Sequence, residues 1–222
     1  MKSSLKLYFL LFIFFILTTY NTKDDKEVSS FFFPIKKILI ENNIATNSSE
    51  IRSDFKFLID KSLIFLNKEK ILTITRKYDF ISNIHLKKKY PNTLKIKIIE
   101  KTPVATQIIN KKKFYITKDN TKINFVDLKI YENLPSIFGG HKNFNDFYSN
   151  LEKNDFKINK IKAFYYFEVG RWDIVLKNEK VIKLPEKKYL KLLPKINLML
   201  IGKNFSKYKI FDFRIKDQLI LK

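Results

Sequence analysis

A long apolar run near the amino terminus constrains this chain more than any other feature. Leu5–Thr19 reads LKLYFLLFIFFILTT, and its charged residue is Lys6. A cleaved signal peptide would need a small-x-small cleavage site, and Thr18–Thr22 offers a poor one. An uncleaved anchor needs about 20 apolar residues. Ser3–Tyr20 comes close to that length if Lys6 extends to the membrane interface, and we therefore favour the anchor.

The charges around the run predict its orientation. Lys2, Lys6 and the terminal amine lie on one side, whereas Lys23 and Lys26 on the other side have acidic neighbours. The positive-inside tendency then places the amino terminus in the cytoplasm. We expect residues 1–22 to form a cytoplasmic stub and a transmembrane anchor, with the bulk of the chain outside the cytoplasmic membrane. Seven of the large apolar residues are singled out as anchor residues: Leu5, Leu7, Phe9, Leu11, Phe14, Ile16 and Leu17.

The strongly basic composition suggests nucleic acid as a partner, but the type of basic residue argues against it. The chain carries 44 Lys and Arg and a formal net charge of +22. Base readout and bidentate phosphate recognition favour Arg, and the four Arg are Arg52, Arg76, Arg171 and Arg214. Lys, Ile, Asn and Phe are all encoded by A/T-rich codons, so a biased genome accounts for the charge. No nucleic-acid partner is predicted.

Several kinds of reactive site are excluded or unsupported by composition. With no Cys, the chain has no disulfide, thiol nucleophile or Cys-ligated metal. Its four Gly are not spaced to cradle a phosphate. His85 and His141 are not at metal-ligand spacing, and nothing places the carboxylates Glu168 and Asp173 in one pocket. We therefore predict no catalytic residue, no metal and no cofactor.

Hydrophobic patterning predicts an α+β fold in two folded regions. Residues 23–33 read as a polar spacer. In residues 34–101, Asn47 is a helix N-cap, and Ile51, Phe55, Leu58 and Ile59 follow at helical spacing. A second helix covers Lys68–Lys77. The strands of this region are Ile35–Ile40, Phe80–Leu86 and Thr93–Ile99, which gives the order strand–helix–helix–strand–strand.

Short strands dominate the pattern of residues 102–222. The strand-like runs are Val104–Ile109, Phe114–Ile116, Lys160–Phe167, Trp172–Leu176 and Lys180–Leu184. A helix is expected over Asn143–Asn154, because Phe144, Phe147 and Leu151 share one face. Another helix is expected to start at Pro185 and to be kinked by Pro194. Lys209–Arg214 and Gln218–Leu221 are predicted as two closing strands joined by a short turn.

Four motifs in this order resemble the bacterial cell-division family FtsQ, called DivIB in Gram-positive bacteria. They are Tyr90–Ile96 with Glu100–Ala105 (P-x-T-L-x-I and E-x-x-P-V-A), Leu134–Gly139 (L-P-x-x-x-G), Gly170–Leu176 (G-R-W-x-x-x-L) followed by Leu184-Pro185, and Asp212–Arg214 (close to D-L-R). The resemblance implies a single membrane anchor, one POTRA module with β-α-α-β-β order, and then a β-rich domain.

The same resemblance implies a function without catalysis. It implies a bitopic inner-membrane scaffold, enriched at the division septum, whose last strand is an open sheet edge. That edge would receive a segment of FtsB, which comes bound to FtsL, by strand addition. The matching residues are Arg214, Ile215, Lys216, Asp217, Gln218, Leu219, Ile220 and Leu221. The POTRA module, including Ile38, Ile40 and Ile44, would contact other septal membrane proteins.

The sequence leaves two other functions open. A membrane-anchored extracytoplasmic enzyme acting on the envelope would need a catalytic constellation, and the sequence shows none. A POTRA-bearing outer-membrane transport component would need repeated transmembrane strands of roughly ten residues, whereas about 120 residues with predicted helices follow the module.

Overall fold

The computed structural model describes residues 2–19 and 32–222 of the chain. Helix α1 covers Lys2–Thr19 and contains all seven predicted anchor residues, of which Leu7, Phe9, Leu11, Phe14 and Ile16 have exposed side chains. Within the described ranges, no helix combines the length and apolarity needed to cross a membrane, so the predicted anchor is not confirmed. The predicted spacer lies outside the described residues except for Phe32 and Phe33.

The chain divides into two compact units, Met1–Glu100 and Lys101–Lys222. The folded part of the first unit contains strands β1 (Lys37–Glu41), β2 (Ile81–Lys89) and β3 (Thr93–Glu100), with helices α2 (Ser48–Asp54) and α3 (Lys68–Thr75) between β1 and β2. The order in the sheet is β1-β3-β2. Strand β1 is parallel to β3, and β2 is antiparallel to it. This is the predicted strand–helix–helix–strand–strand order.

Local sequence explains the elements of this first unit. The Asn47 side chain accepts a hydrogen bond from the Ser49 amide at 2.9 Å and caps α2, as predicted. Helix α2 ends earlier than its apolar spacing suggests, and a 3₁₀ turn at Lys56–Leu58 continues it. Both segments still bury the predicted face, because these residues lie in one core: Ile51, Phe55 and Leu58 from the helical segments and Leu94, Ile96 and Ile98 from β3.

The second unit is built on one nine-stranded sheet, and the backbone of this unit is described throughout. Its strands are β4 (Pro103–Ile109), β5 (Lys112–Thr117), β6 (Lys122–Asn124), β7 (Ser136–Phe138), β8 (Ile161–Phe167), β9 (Arg171–Leu176), β10 (Val181–Lys183), β11 (Ile210–Asp212) and β12 (Ile220–Leu221). The sheet order is β12-β11-β10-β9-β8-β7-β4-β5-β6. Strand β12 therefore lies at one edge and β6 at the other.

Two helices cover the core face of this sheet. Helix α4 (Phe144–Lys153) buries Phe144, Phe147 and Leu151 as predicted, and the Phe147 ring stacks on Trp172 with centroids 5.0 Å apart. Helix α5 (Leu193–Ile201) contributes Leu193 and Ile196 to the same core.

The prediction for this second helix was wrong at its start. Pro185 does not begin it, because a 3₁₀ turn at Tyr189–Leu192 comes first. Pro194 lies in the first turn of α5, where its missing N–H leaves no hydrogen bond unmade. Pro194 therefore starts the helix instead of kinking it.

Candidate functional site

The last strand of the chain is an edge of the large sheet. Strand β12 pairs antiparallel with β11, with Leu221 opposite Phe211 and Ile220 opposite Asp212. Strand order places no other described strand on its far side. The edge position required by the resemblance is therefore present, although its use by a partner stays a prediction.

The strand itself is shorter than the predicted stretch Arg214–Leu221. The segment before it is a turn, in which the Gln218 amide donates to the Ile215 carbonyl at 3.2 Å. Asp217 takes a left-handed φ of 58° in this turn, a conformation that Asp tolerates better than most residues. The turn explains why Arg214, Ile215, Lys216, Asp217 and Gln218 do not extend the ladder.

Hydrogen-bond register shows which backbone groups of the edge point outward. Ile210 and Lys222 exchange both backbone bonds, at 2.9 and 3.1 Å. In an antiparallel pair, hydrogen-bonded and non-hydrogen-bonded positions alternate. Ile220 is therefore hydrogen-bonded to β11, whereas the N–H and C=O of Leu221 point away from it. Extending the same alternation to Leu219, the residue just before β12, gives its backbone groups the same outward direction. These groups form a short backbone rim that faces away from the sheet.

Side chains of the edge alternate between the two faces of the sheet. Leu219 and Leu221 are half-buried and pack against the core of the second unit. Ile220 lies on the opposite face with 37% of its surface exposed, and Ile215 in the turn is 50% exposed. A strand added beside β12 would therefore extend both the core face and the open face.

The Asp212 carboxylate forms hydrogen bonds with the chain just after β11. Asp212 accepts hydrogen bonds from the Arg214 backbone N–H at 3.1 Å, from its Nε at 2.8 Å and from its Nη2 at 2.6 Å. These bonds, with the Arg214 hydrogen bond as the largest cause, lower the pKa of the buried Asp212 carboxyl below its usual value. Phe213, the middle residue of the Asp212–Arg214 motif, is buried in the core.

Asp212 belongs to a charged row across three strands. Lys183 in β10 lies opposite Asp173 in β9 and opposite Asp212 in β11. Burial raises the pKa of the Asp173 carboxyl, and the nearby positive charges of Arg171, Lys183 and Arg214 oppose this shift. Arg171 Nε is 3.3 Å from Asp173 Oδ1, but neither atom makes a hydrogen bond within the described structure. The two residues therefore form an ion pair without good hydrogen-bond geometry.

A basic groove lies beside the edge. It encloses a cavity of about 570 Å³ between the segment that leads into α5 and the turn before β12. Its apolar lining includes Leu192, Phe213 and Leu219, and its basic lining comprises Lys187, Lys188, Lys191, Lys195, Arg214 and Lys216. Such a groove favours a segment that is partly apolar and acidic.

Sequence reasoning missed this groove and the charged row. A signal for the groove was available, because Lys187, Lys191 and Lys195 recur every four residues within the segment that the sequence predicts to be helical from Pro185. The row had no such signal. Its members come from three strands whose pairing is long-range, and β10 pairs in parallel with β11, with Val181 opposite Ile210.

Other predicted site residues are placed as follows. Ile38 is 7% exposed in the core of the first unit, and Ile40, on edge strand β1, is partly buried and packs against that core. Ile44 is 67% exposed in the loop after β1. Glu168 is exposed, whereas Asp173 is buried in β9. Among the described residues, no group of three His, Cys, Asp or Glu could hold a metal ion.

Comparisons with known proteins agree with this architecture. Residues 33–101 match the family model described as the POTRA domain of FtsQ type. The chain is 25% identical to cell division protein FtsQ of Rickettsia conorii over 190 residues, covering 84% of this chain and 71% of that protein. It is 27% identical to the FtsQ of Rickettsia typhi over 194 residues with the same coverage. For the FtsQ of Rickettsia felis, the identity is 25% over 227 residues, covering 98% of this chain and 85% of that protein.

These matches show the class of protein to which the chain is similar. An FtsQ-type POTRA domain precedes a β-rich unit, and relatives that share both regions are cell-division proteins. The chain is a POTRA-bearing cell-division protein. Its residues 33–101 match the FtsQ-type POTRA model, and it is similar over most of its length to proteins named cell division protein FtsQ.

Proposed function

We propose that this protein is a bitopic, non-enzymatic scaffold of the division septum that docks an FtsB-type partner, together with FtsL, by strand addition at β12. The observation that carries the proposal is the backbone rim formed by Leu219 and Leu221. Unpaired N–H and C=O groups at a sheet edge accept an extended segment of another chain. The edge is short, so the added strand needs support from neighbouring contacts.

The basic groove supplies such contacts. A partner whose strand is flanked by acidic side chains would place them among Lys187, Lys191 and Lys195, while apolar side chains of the same segment would cover Leu192 and Leu219. Charge complementarity raises the association rate and suppresses wrong partners, whereas buried apolar area and backbone bonds slow dissociation.

The membrane topology is part of the same proposal. The apolar run of α1 would hold the chain in the inner membrane with its amino terminus in the cytoplasm and both units in the periplasm. The exposed apolar side chains of α1 and the positive charges before them support this. The POTRA domain would contact other septal membrane proteins, and Ile44 is its best-placed predicted residue for such a contact.

A matched pair of variants at the edge tests strand addition. Leu221→Pro removes the outward N–H and leaves the bonds to β11 intact, because Leu221 is a non-hydrogen-bonded position. Leu221→Ala removes the same side-chain packing but keeps the N–H. We expect the proline variant to bind an FtsB–FtsL-type complex about tenfold more weakly than the alanine variant, since it loses a backbone bond and its ring obstructs the added strand.

The control for this experiment is Ile220→Pro. Its amide pairs with β11, so this variant should disturb the edge itself and lower the stability of the unit. Equal partner binding by the Leu221→Pro and Leu221→Ala proteins, measured by quantitative pull-down, would refute docking at this rim.

A further inference from the structure

One end of the POTRA domain displays an apolar cluster, which we call the tip. It consists of Phe32, Phe33, Ile64, Phe65 and Tyr90, with exposed fractions of 55, 42, 40, 65 and 54%. The Phe33 and Tyr90 rings meet edge to face at 4.9 Å between centroids. Two hydrogen bonds to backbone carbonyls hold the cluster in place. The Leu63 amide donates to the Phe33 carbonyl at 3.0 Å, and Ser62 Oγ donates to the Phe32 carbonyl at 2.6 Å.

The backbone at the tip is strained at Phe33, whose aromatic ring is exposed. Phe33 has a left-handed φ of 52°, which is unfavourable for a bulky residue. Its side chain is exposed although the buried Ile35 lies two residues further on. Strain of this kind persists only where the surrounding structure imposes it, and it is frequent at binding surfaces.

Several lysines lie next to the tip residues in the sequence, and Lys88 contacts the tip directly. Lys87, Lys88 and Lys89 are consecutive residues at the end of β2 next to Tyr90, and Lys61 precedes Ser62. The Nζ of Lys88 donates to the Ile64 carbonyl at 2.9 Å, which places this ammonium directly beside the apolar cluster. Lys36 lies at the same end and pairs with Asp60. Aromatic rings ringed by Lys are the composition that proteins use at the interface of an anionic bilayer.

The position of the tip in the chain agrees with a membrane surface. Phe32 immediately precedes residues 33–101, which match the POTRA model, and residues 20–31 separate it from the end of α1 at Thr19. About thirteen steps of extended chain span at most about 45 Å, so a chain anchored through α1 keeps the tip within reach of the lipid headgroups. A short tether also gives the second contact a high effective concentration.

We propose that the tip docks the POTRA domain on the anionic surface of the membrane that holds α1. The aromatic and aliphatic side chains enter the headgroup region, and Lys61, Lys87, Lys88 and Lys89 contact lipid phosphates. This inference rests on the anchoring part of the proposed function and is independent of partner docking at β12. Docking would hold the POTRA domain near the bilayer.

Tryptophan fluorescence of the full chain in lipid nanodiscs tests the proposal. The reporter variant is Phe65→Trp, at the tip. The control variant is Ile44→Trp, whose position is equally exposed but lies at the far end of β3, beside Glu100. The native Trp172 is 5% exposed and serves as an internal reference. Nanodiscs are made of phosphatidylglycerol with phosphatidylethanolamine, or of phosphatidylcholine alone, with brominated acyl chains as quenchers.

We expect about twofold quenching of the introduced indole in the Phe65→Trp protein in anionic nanodiscs. The Ile44→Trp protein and the native Trp172 should change little. Quenching of the tip reporter should fall in phosphatidylcholine, in about 0.5 M salt, and when Lys87→Glu and Lys89→Glu are added, because screening and charge reversal weaken contacts with phosphate.

Several results would overturn the proposal. An unquenched tip reporter in anionic nanodiscs would refute docking while leaving anchoring and partner binding intact. Equal quenching of the Ile44→Trp control would show non-specific collapse onto the bilayer. If the emission of the tip reporter changes with the number of protein molecules per nanodisc and not with the lipid type, the tip binds a second copy of the chain. A chain that does not enter nanodiscs at all would refute the anchor and tip docking together.

Discussion

The two buried aspartates of the charged row should respond in opposite ways to the same substitution. Asp212 accepts several hydrogen bonds from Arg214 and has a lowered pKa, whereas burial raises the pKa of Asp173. Replacing each by Asn keeps the shape and removes the charge. We expect Asp212→Asn to destabilise the second unit at pH 7 and Asp173→Asn to leave its stability unchanged or slightly higher.

The size of the effect follows from the contacts. Hydrogen bonds to charged groups contribute about 1.5–3 kcal/mol, and the Arg214 side chain is 42% exposed, so screening reduces this. Asn keeps one acceptor oxygen of Asp212. We expect a loss of about 1–2 kcal/mol for Asp212→Asn, or roughly 3–8 °C in melting temperature for a unit of this size. For Asp173→Asn we expect no loss of stability and at most a small gain, because the burial cost of the charge disappears.

The pH dependence has a sign that separates the two residues. The folded-state pKa of Asp212 is depressed, so its contribution is present above the unfolded pKa and is lost as the pH falls through the folded value. The difference between wild type and Asp212→Asn should therefore close below about pH 4. The folded pKa of Asp173 is raised, so the wild type loses stability as the pH rises from about 4 through that raised value, and the advantage of Asp173→Asn grows over the same range.

Fluorescence of Trp172 provides the assay. Trp172 is the one tryptophan of the chain and lies in the core of the second unit, so thermal unfolding followed at this residue reports that unit alone. An Asp212→Asn protein as stable as wild type at pH 7, or an Asp173→Asn protein less stable than Asp212→Asn, would refute the assignment of roles.

Two further substitutions test contacts in each unit. The Glu100 carboxylate accepts the amides of Ile44, Ala45 and Thr46 at 2.8–3.1 Å, so Glu100→Gln should cost the POTRA domain about 1–3 kcal/mol, measured by amide exchange in β3; unchanged exchange would contradict this role. Gly139 has a φ of 81°, and a Cβ there would overlap the backbone oxygen of Tyr166, so Gly139→Ala should cost about 3 kcal/mol or more in thermal unfolding; a loss below about 1 kcal/mol would contradict the observed packing.

Local patterns predicted the elements whose cause is local. The Asn47 cap, the alternation of buried residues in β3 and the apolar face of α4 all follow from spacing within a few residues, and the structure confirms them. The prediction for Pro194 was wrong because a proline inside an apolar stripe is equally compatible with a kink and with the start of a helix. The 3₁₀ turn before it decides between the two, and it has no sequence signal of its own.

The position of the candidate edge strand in the chain was predictable, but its length and its surroundings were not. The closing motif placed the edge at the end of the chain, and β12 lies there. Its length could not be predicted, because Asp212 binds Arg214 two residues away and the chain then turns at Asp217 instead of continuing the ladder. The groove and the row of charges depend on which distant strands pair, which patterns within one segment do not encode.

Strand addition is tested most directly by hydrogen exchange at single amides near and in β12. NMR measures this exchange with and without an FtsB–FtsL-type complex. In the free protein we predict fast exchange at Leu219 and Leu221 and slower exchange at Ile220, whose amide pairs with β11. With the complex bound, exchange at Leu219 and Leu221 should slow by at least about tenfold, because each amide gains a hydrogen bond. Unchanged exchange at both leucines in a saturated complex would show that the partner docks elsewhere.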